Sequence, residues 1–131
     1  MLRDKKTYAS LPVSSLDAAR KFYEGTLGLH PDLVTEGGVM YGSGGTQFFV
    51  YPSRTRAAGH TQMSWLVPDI KAEVALLRAK DITFEEYDIP GLEMVDGIAH
   101  SGPAVWTAWF KDPDGNLLGL TQIGQAPPFP E

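Results

Sequence analysis

The chain contains no cysteine among its 131 residues. This absence excludes a disulfide framework, a zinc site built on thiolates and a cysteine nucleophile. Positive charge is also scarce, because 11 lysines and arginines stand against 16 aspartates and glutamates, for a net charge of −5. A nucleic-acid surface needs clustered positive charge, so we expect no nucleic-acid partner.

Long apolar runs are missing as well. No stretch is long enough to span a bilayer, and the charged start MLRDKK lacks the pattern of a signal peptide. These observations predict a cytoplasmic protein with no membrane partner. Hydrophobic residues make up 43% and charged residues 21% of the chain, which is the balance of a globular domain with its own core.

The first half of the chain reads as a strand, a helix and three short strands. The spacing predicts a strand over 6–13 and then a helix that Ser14 or Ser15 caps and Gly28 ends. The apolar stripe of this helix comprises Leu16, Ala19, Tyr23 and Leu27. The short strands are predicted at 31–35, 39–41 and 47–51.

The second half repeats this order. A strand is predicted over 61–67, followed by a helix that Asp69 caps and whose stripe is Ile70, Val74 and Leu77. Strands follow at 83–87, 105–111 and 116–122. We therefore predict one domain of two modules: module one at about 5–52, a linker at 53–59, module two at about 60–123 and a tail at 124–131.

The repeat shows in constant offsets. Val13 matches Val67 at an offset of 54, and Val50 matches Leu120 at an offset of 70. The larger second offset indicates an insertion, which falls in the segment 88–103 and could arch over a cavity as a lid. One module alone leaves a sheet face exposed, so we expect the two to pack together.

Three stretches carry a resemblance to a known family: LPVSSLDAARKFYEGTLGL, WLVPDI and WFKDPDGNLLGL. Together they resemble the glyoxalase/bleomycin-resistance/dioxygenase group, or vicinal oxygen chelate superfamily, from about Thr7 to Gln122. The resemblance implies an α+β fold of two βαβββ modules, with curved mixed sheets around a cavity, and a homodimer. It leaves the chemistry open, because the family spans isomerases, dioxygenases, thiol transferases and drug-binding proteins.

The resemblance also implies four positions at which metal-dependent members place His, Glu or Gln ligands. Here these positions hold Tyr8, Phe49, Gln62 and Gly119, separated by the same offsets of 54 (62 − 8) and 70 (119 − 49). Phenylalanine and glycine offer no side-chain ligand, tyrosine binds only as a phenolate, and one glutamine oxygen is a weak anchor. We expect no metal and no cofactor, and we expect Gly119 to leave room in the cavity.

The predicted lining of that cavity suits a flat, partly apolar organic ligand that stacks on rings and is oriented by a few hydrogen bonds. Strand alternation allows only one of Trp106 and Trp109 to face inward. The same aromatic side chains could instead fill the core. The predicted ligand-binding residues are Tyr8, Ser10, Phe49, Tyr51, Gln62, Ser64, Trp106 and Gly119.

Whether the chain is an enzyme stays open. Tyr8, His60 and His100 are weak candidates for catalysis, and His100 shares the inserted segment with Asp96. Solvent-exposed positions explain both histidines better than a catalytic role does. Three hypotheses follow: a metal-free protein that binds a small molecule, an enzyme that is metal-independent or uses unrecognised metal ligands, and a dimeric scaffold for protein interactions.

Overall fold

The computed structural model describes residues 2–4, 8–54, 60–88, 90–100 and 104–123. The start of the first predicted strand, most of the predicted linker and the whole tail lie outside these residues. The chain forms two compact units. The first comprises Met1–Gln62 and Asp112–Asn116, and the second comprises Met63–Lys111 and Leu117–Glu131.

The first unit consists of one four-stranded sheet and one helical segment. A 3-10 turn at Leu2–Asp4 precedes the sheet. The elements are β1 (Ala9–Val13), α1 (Leu16–Arg20), a π-helical segment (Lys21–Thr26), β2 (His30–Thr35), β3 (Gly38–Ser43) and β4 (Thr46–Pro52). The strands lie in the order β1-β4-β3-β2, with β1 parallel to β4 and the other neighbours antiparallel.

The first helix forms for the reasons that its sequence predicts. The Ser15 side chain accepts a hydrogen bond from the Ala18 amide at 3.2 Å and so caps the helix. Ala19 and Tyr23 are fully buried, and the Tyr23 ring packs on Phe48 of the sheet at a centroid distance of 5.6 Å. The buried stripe therefore fixes the helix on one face of the first sheet.

The turn Asp112–Asn116 belongs to the first unit and is held by a buried polar network. The Tyr23 hydroxyl donates to Asp112 Oδ2 at 3.0 Å, and Asn116 Nδ2 donates to the same oxygen at 2.7 Å. Asn116 Nδ2 also donates to the Pro12 carbonyl at 2.8 Å, next to the end of β1. Burial, and secondly the Asp112 charge, raise the pKa of Tyr23 far above its ordinary value, so its hydroxyl stays a donor.

The second unit contains one helix and most of a five-stranded sheet. The elements are β5 (Thr61–Leu66), α2 (Ile70–Arg78), β6 (Glu93–Val95), β7 (Ile98–His100), β8 (Val105–Lys111) and β9 (Leu117–Ile123). The strands lie in the order β5-β9-β8-β7-β6. Asp69 caps α2 by accepting from the Ala72 amide at 3.1 Å, and Ile70 and Val74 are the buried residues of this helix. None of the helices in the described part of the chain has the length and apolar character that crossing a membrane requires. The predicted α+β class is confirmed.

Two predictions for the second module are wrong. Instead of a strand at 83–87, the structure has one isolated bridge, between Phe84 and Phe110. The described part of the inserted segment is a β-hairpin rather than a lid, since β6 pairs with β7 and β7 pairs with β8. Besides β9, the neighbour of β8 in the sheet is thus β7 from the insertion. The 83–87 stretch meets β8 through the Phe84–Phe110 bridge and through the Glu85 amide, which donates to the Trp109 carbonyl at 2.7 Å.

The tip of this hairpin is fastened to the end of α2. Asp96 and Gly97 occupy the two turn positions with φ of 53° and 81°, as a type I′ turn requires. Arg78 pairs with the Asp96 carboxylate at 3.2 Å and donates to its backbone carbonyl at 3.0 Å. These contacts hold the inserted hairpin on its own unit.

Candidate functional site

One face of the first sheet carries the first four predicted ligand-binding residues. The register pairs Ser10 with Phe49, so both side chains lie on the face opposite to the helix, which we call the open face. Tyr51 is two residues beyond Phe49 on β4 and shares this face. Tyr8 lies just before β1, is 57% exposed and contacts the Phe49 ring. The structure therefore brings these four residues together.

Three of them form a continuous set of rings, which we call the aromatic strip: Tyr8, Phe49 and Tyr51. Phe49 and Tyr51 stack at a centroid distance of 6.1 Å and an interplanar angle of 10°, and Tyr8 meets Phe49 edge-on at 6.4 Å. Gly38 leaves the space that the Phe49 ring occupies, because a Cβ at residue 38 would lie 2.6 Å from the ring. The strip is thus held in place by the sheet, as a stacking platform needs to be.

A pocket of about 850 Å³ opens next to the strip and shares Tyr8 with it. The sheet register explains the lining, because Gln47 on β4 faces Gly42 on β3, which faces His30 on β2. The hairpin turn between β3 and β4 closes one side. We call this space the polar pocket; its polar side chains are those of Tyr8, His30, Asp32, Ser43, Thr46 and Gln47.

The polar pocket holds a carboxylate above a glycine. Asp32 Oδ2 lies 2.5 Å from the place where a Cβ of residue 42 would be, so the carboxylate would have to shift if residue 42 carried a side chain. Gln47 Nε2 donates to the same oxygen at 2.8 Å. His30, Asp32 and Gln47 are not among the site residues predicted from the sequence. The pairing register of β2 shifts between Pro31 and Leu33. Across such an irregularity, simple alternation along the strand no longer predicts on which face a side chain lies.

On the helix side of the same sheet lies a separate polar cluster. Arg20 Nε donates to Glu24 at 2.7 Å, and the buried Tyr41 donates to Glu24 at 2.8 Å. The hydrogen bond from Arg20 lowers the pKa of Glu24 most strongly, while burial and then the bond to Glu24 raise the pKa of Tyr41. These groups satisfy one another and stabilise the helix on the sheet.

In the second unit, Ser64 and Gly119 lie together on one face of their sheet. Trp109 pairs with Gly119 and completes this group. Gln62 precedes Ser64 by two positions on β5 and shares its side. Trp106 lies on the other face with Phe110, so Trp109 and not Trp106 stands beside Gly119.

The expectation that Gly119 leaves open room is wrong. A Cβ at this position would lie 2.6 Å from Ser64 Oγ and 3.6 Å from the Trp109 ring. The hydroxyl of the neighbouring strand therefore occupies the space that a longer side chain would need. Gly119 serves close packing between strands.

From the close contact between Gly119 and Ser64 we predict an effect on stability. Gly119→Ala lowers the free energy of unfolding by about 1 kcal/mol, because the new methyl group collides with Ser64 Oγ. Adding Ser64→Ala relieves the collision, since the Ser64 Cβ is 3.5 Å away, an ordinary contact distance. Guanidinium denaturation of both single variants and the double variant measures the coupling. Additive effects of the two substitutions would contradict this packing.

His60 and His100, two of the weak candidates for catalysis, lie in different surroundings. His60 is exposed and lies just before β5. The His100 ring stacks on Trp106 at 5.1 Å with an angle of 7°, while Asp96 pairs with Arg78. His100 and Asp96 therefore do not form the acid–base pair that was considered for the inserted segment.

The side chains at the four positions that the resemblance assigns to metal ligands do not fit a metal. Phe49 offers a ring that stacks on Tyr51, and Gly119 presents only a hydrogen beneath the Ser64 hydroxyl. Tyr8 and Gln62 would be the remaining donors, and two neutral oxygens are a poor site for a divalent ion. Among the described residues, no three His, Cys, Asp or Glu side chains cluster as a metal site either.

Comparisons with known proteins agree on the fold. A glyoxalase family protein from Enterococcus faecalis superimposes with a TM-score of 0.66 at 20% identity, over 92% of this chain and 99% of that one. A glyoxalase/bleomycin resistance protein/dioxygenase from Alicyclobacillus acidocaldarius gives 0.67 at 20%, over 93% of each chain. A lactoylglutathione lyase from Agrobacterium tumefaciens gives 0.65 at 18%, over 90% and 92%.

Sequence identities of 18% to 20% show that the fold is shared and show nothing about function. No curated protein matches the chain. A sequence model of one superfamily matches residues 7–120, most of the chain. The chain therefore belongs to the glyoxalase/bleomycin resistance protein/dioxygenase superfamily.

Proposed function

We propose that the protein binds a small, partly aromatic organic molecule on the open face of the first sheet, without a metal. The observation that carries this proposal is the aromatic strip, whose rings are positioned by the sheet and by Gly38. Phe49 and Tyr51 are only half-buried and Tyr8 is largely exposed, so ring surface remains for a ligand. A rigid aromatic platform loses little conformational entropy when a flat molecule stacks on it.

Residues beside the strip supply polar contacts. The Ser10 side chain lies on the same face as Phe49, and Tyr8 extends the strip to the polar pocket. A ligand that places a ring on the strip can therefore direct a polar group into the pocket. Binding sites of small molecules commonly combine apolar walls with a few placed hydrogen-bonding groups.

Titration calorimetry with a panel of bicyclic aromatic compounds tests the proposal. We expect saturable binding of at least one compound to protein that has been dialysed against EDTA, with the same affinity after Ni, Mn, Fe or Zn ions are added. Mass spectrometry of the recovered compound should show no chemical change. Binding that requires a stoichiometric metal, conversion of the compound, or no binding across the panel would contradict the proposal.

The homodimer, the cytoplasmic location and the absence of nucleic-acid and membrane partners stay predictions. An enzyme remains the alternative that recovery of an altered compound would support.

A further inference from the structure

The polar pocket contains the carboxylate of Asp32, which forms no salt bridge with a residue that the structure describes. Among the described residues that line the pocket, none is a lysine or arginine. The Asp32 carboxylate accepts a hydrogen bond from the neutral Gln47 amide at Oδ2, the one hydrogen bond that it receives in the described part of the chain. Asp32 is exposed to the pocket, and Oδ1 remains as an acceptor.

The fold holds this carboxylate in a defined place. Gly42 provides the gap into which Oδ2 fits, and Gln47 fixes the same oxygen from the neighbouring strand at 2.8 Å. A surface aspartate without such support would lose more side-chain entropy on binding than one that is already restrained. Asp32 is thus a prepared acceptor for a charged donor.

The carboxylate and the aromatic strip are close enough to hold two ends of one small molecule. Gln47, which binds Asp32, precedes Phe49 by two positions on β4, and both side chains lie on the open face. Two residues along a strand span about 7 Å. A short alkyl tether between a ring on Phe49 and an ammonium group at Asp32 covers that distance.

We infer that the ligand is an organic cation: an aromatic ring system joined by a short chain to an amine, with the ring on the aromatic strip and the ammonium group on Asp32. This inference rests on the proposed function and adds the chemical class of the ligand. The net charge of −5 favours the approach of a cation over an anion.

Three indole compounds of similar shape test the inference, because they differ in charge: tryptamine is a cation, tryptophol is neutral and indole-3-acetate is an anion. Titrations of ¹⁵N-labelled protein at pH 7 and low salt give their affinities. We expect tryptamine to bind about tenfold more tightly than tryptophol, the amount that one charge-assisted hydrogen bond supplies, and indole-3-acetate to bind most weakly.

Asp32→Asn keeps the shape of the side chain and removes its charge. We expect this variant to bind tryptamine and tryptophol equally, with the affinity for tryptophol unchanged. Asp17→Asn, on the helix of the same unit, makes the same change in net charge away from the polar pocket and should keep the preference.

The outcomes separate the two proposals. Equal affinities in the unchanged protein, or an equal loss of both affinities in Asp32→Asn, would overturn the inference and leave the proposed function standing. Loss of the preference in Asp17→Asn as well would assign it to net charge and would also overturn the inference. If none of the three compounds binds, the proposed function fails for this ring system, and the inference fails with it.

Discussion

Asp112→Ala lowers the free energy of unfolding by about 3 kcal/mol, because it leaves several buried donors without their acceptor. The carboxylate is 5% exposed and accepts from the Tyr23 hydroxyl, from Asn116 Nδ2 and from the backbone amides of Asp114 and Asn116. Alanine fills none of these roles. The donors that lose their acceptor lie in the first unit, which also carries the aromatic strip. The destabilisation therefore affects the proposed binding site as well.

Guanidinium denaturation measures the change, and two further variants calibrate it. Tyr23→Phe removes one donor and keeps the carboxylate with its other partners, so we expect a smaller loss of about 1 kcal/mol. Asp88→Ala, at an exposed position, should change stability by about 0.5 kcal/mol or less. If Asp112→Ala is no more harmful than Asp88→Ala, the polar network does not hold the turn.

Phe49→Ala weakens binding of an aromatic ligand by about tenfold or more, the loss expected when the central ring of a stacking platform is removed. Phe49 is the residue that touches both other rings of the strip, and Gly38 keeps it in place. The substitution also frees space above Gly38, so the remaining rings are less restrained. Calorimetric titration of the best compound of the panel gives the affinity.

Phe22→Ala is the matched control for this variant. Phe22 lies in the π-helical segment on the helix side of the sheet, and its ring contacts Tyr23 at 5.2 Å. The control removes the same ring from the same unit and should leave the affinity unchanged, provided that circular dichroism shows both variants folded. Equal affinities in Phe49→Ala and Phe22→Ala would exclude the aromatic strip as the binding surface.

Local signals in the sequence predicted most of the fold. Ser15 and Asp69 cap their helices because a side-chain oxygen must satisfy the first free amides, a requirement readable from a few residues. Positions related by the internal offsets also make equivalent contacts in the two halves. Ser10 pairs with Phe49, and Ser64, 54 positions after Ser10, lies against Gly119, 70 positions after Phe49.

The features that were not predicted from the sequence depend on tertiary packing or on a turn signal that was not recognised. The dipeptide Asp96–Gly97 is itself a type I′ hairpin signal, and it marks the strands that were predicted as a lid. The choice between Trp106 and Trp109 required the pairing of β8 with β9, which no local pattern contains. The polar pocket required the irregularity in β2 that sets Asp32 over Gly42.

The central claim is that a small aromatic molecule binds to the open face of the first sheet without a metal. The most direct measurement is a map of backbone amide shifts in ¹⁵N-labelled, EDTA-dialysed protein titrated with the best compound of the panel. We expect saturable shifts centred on Phe49 and Tyr51, extending to Tyr8. Shifts centred instead on Ser64, Trp109 and Gly119, or shifts that appear only after a metal is added, would contradict the claim.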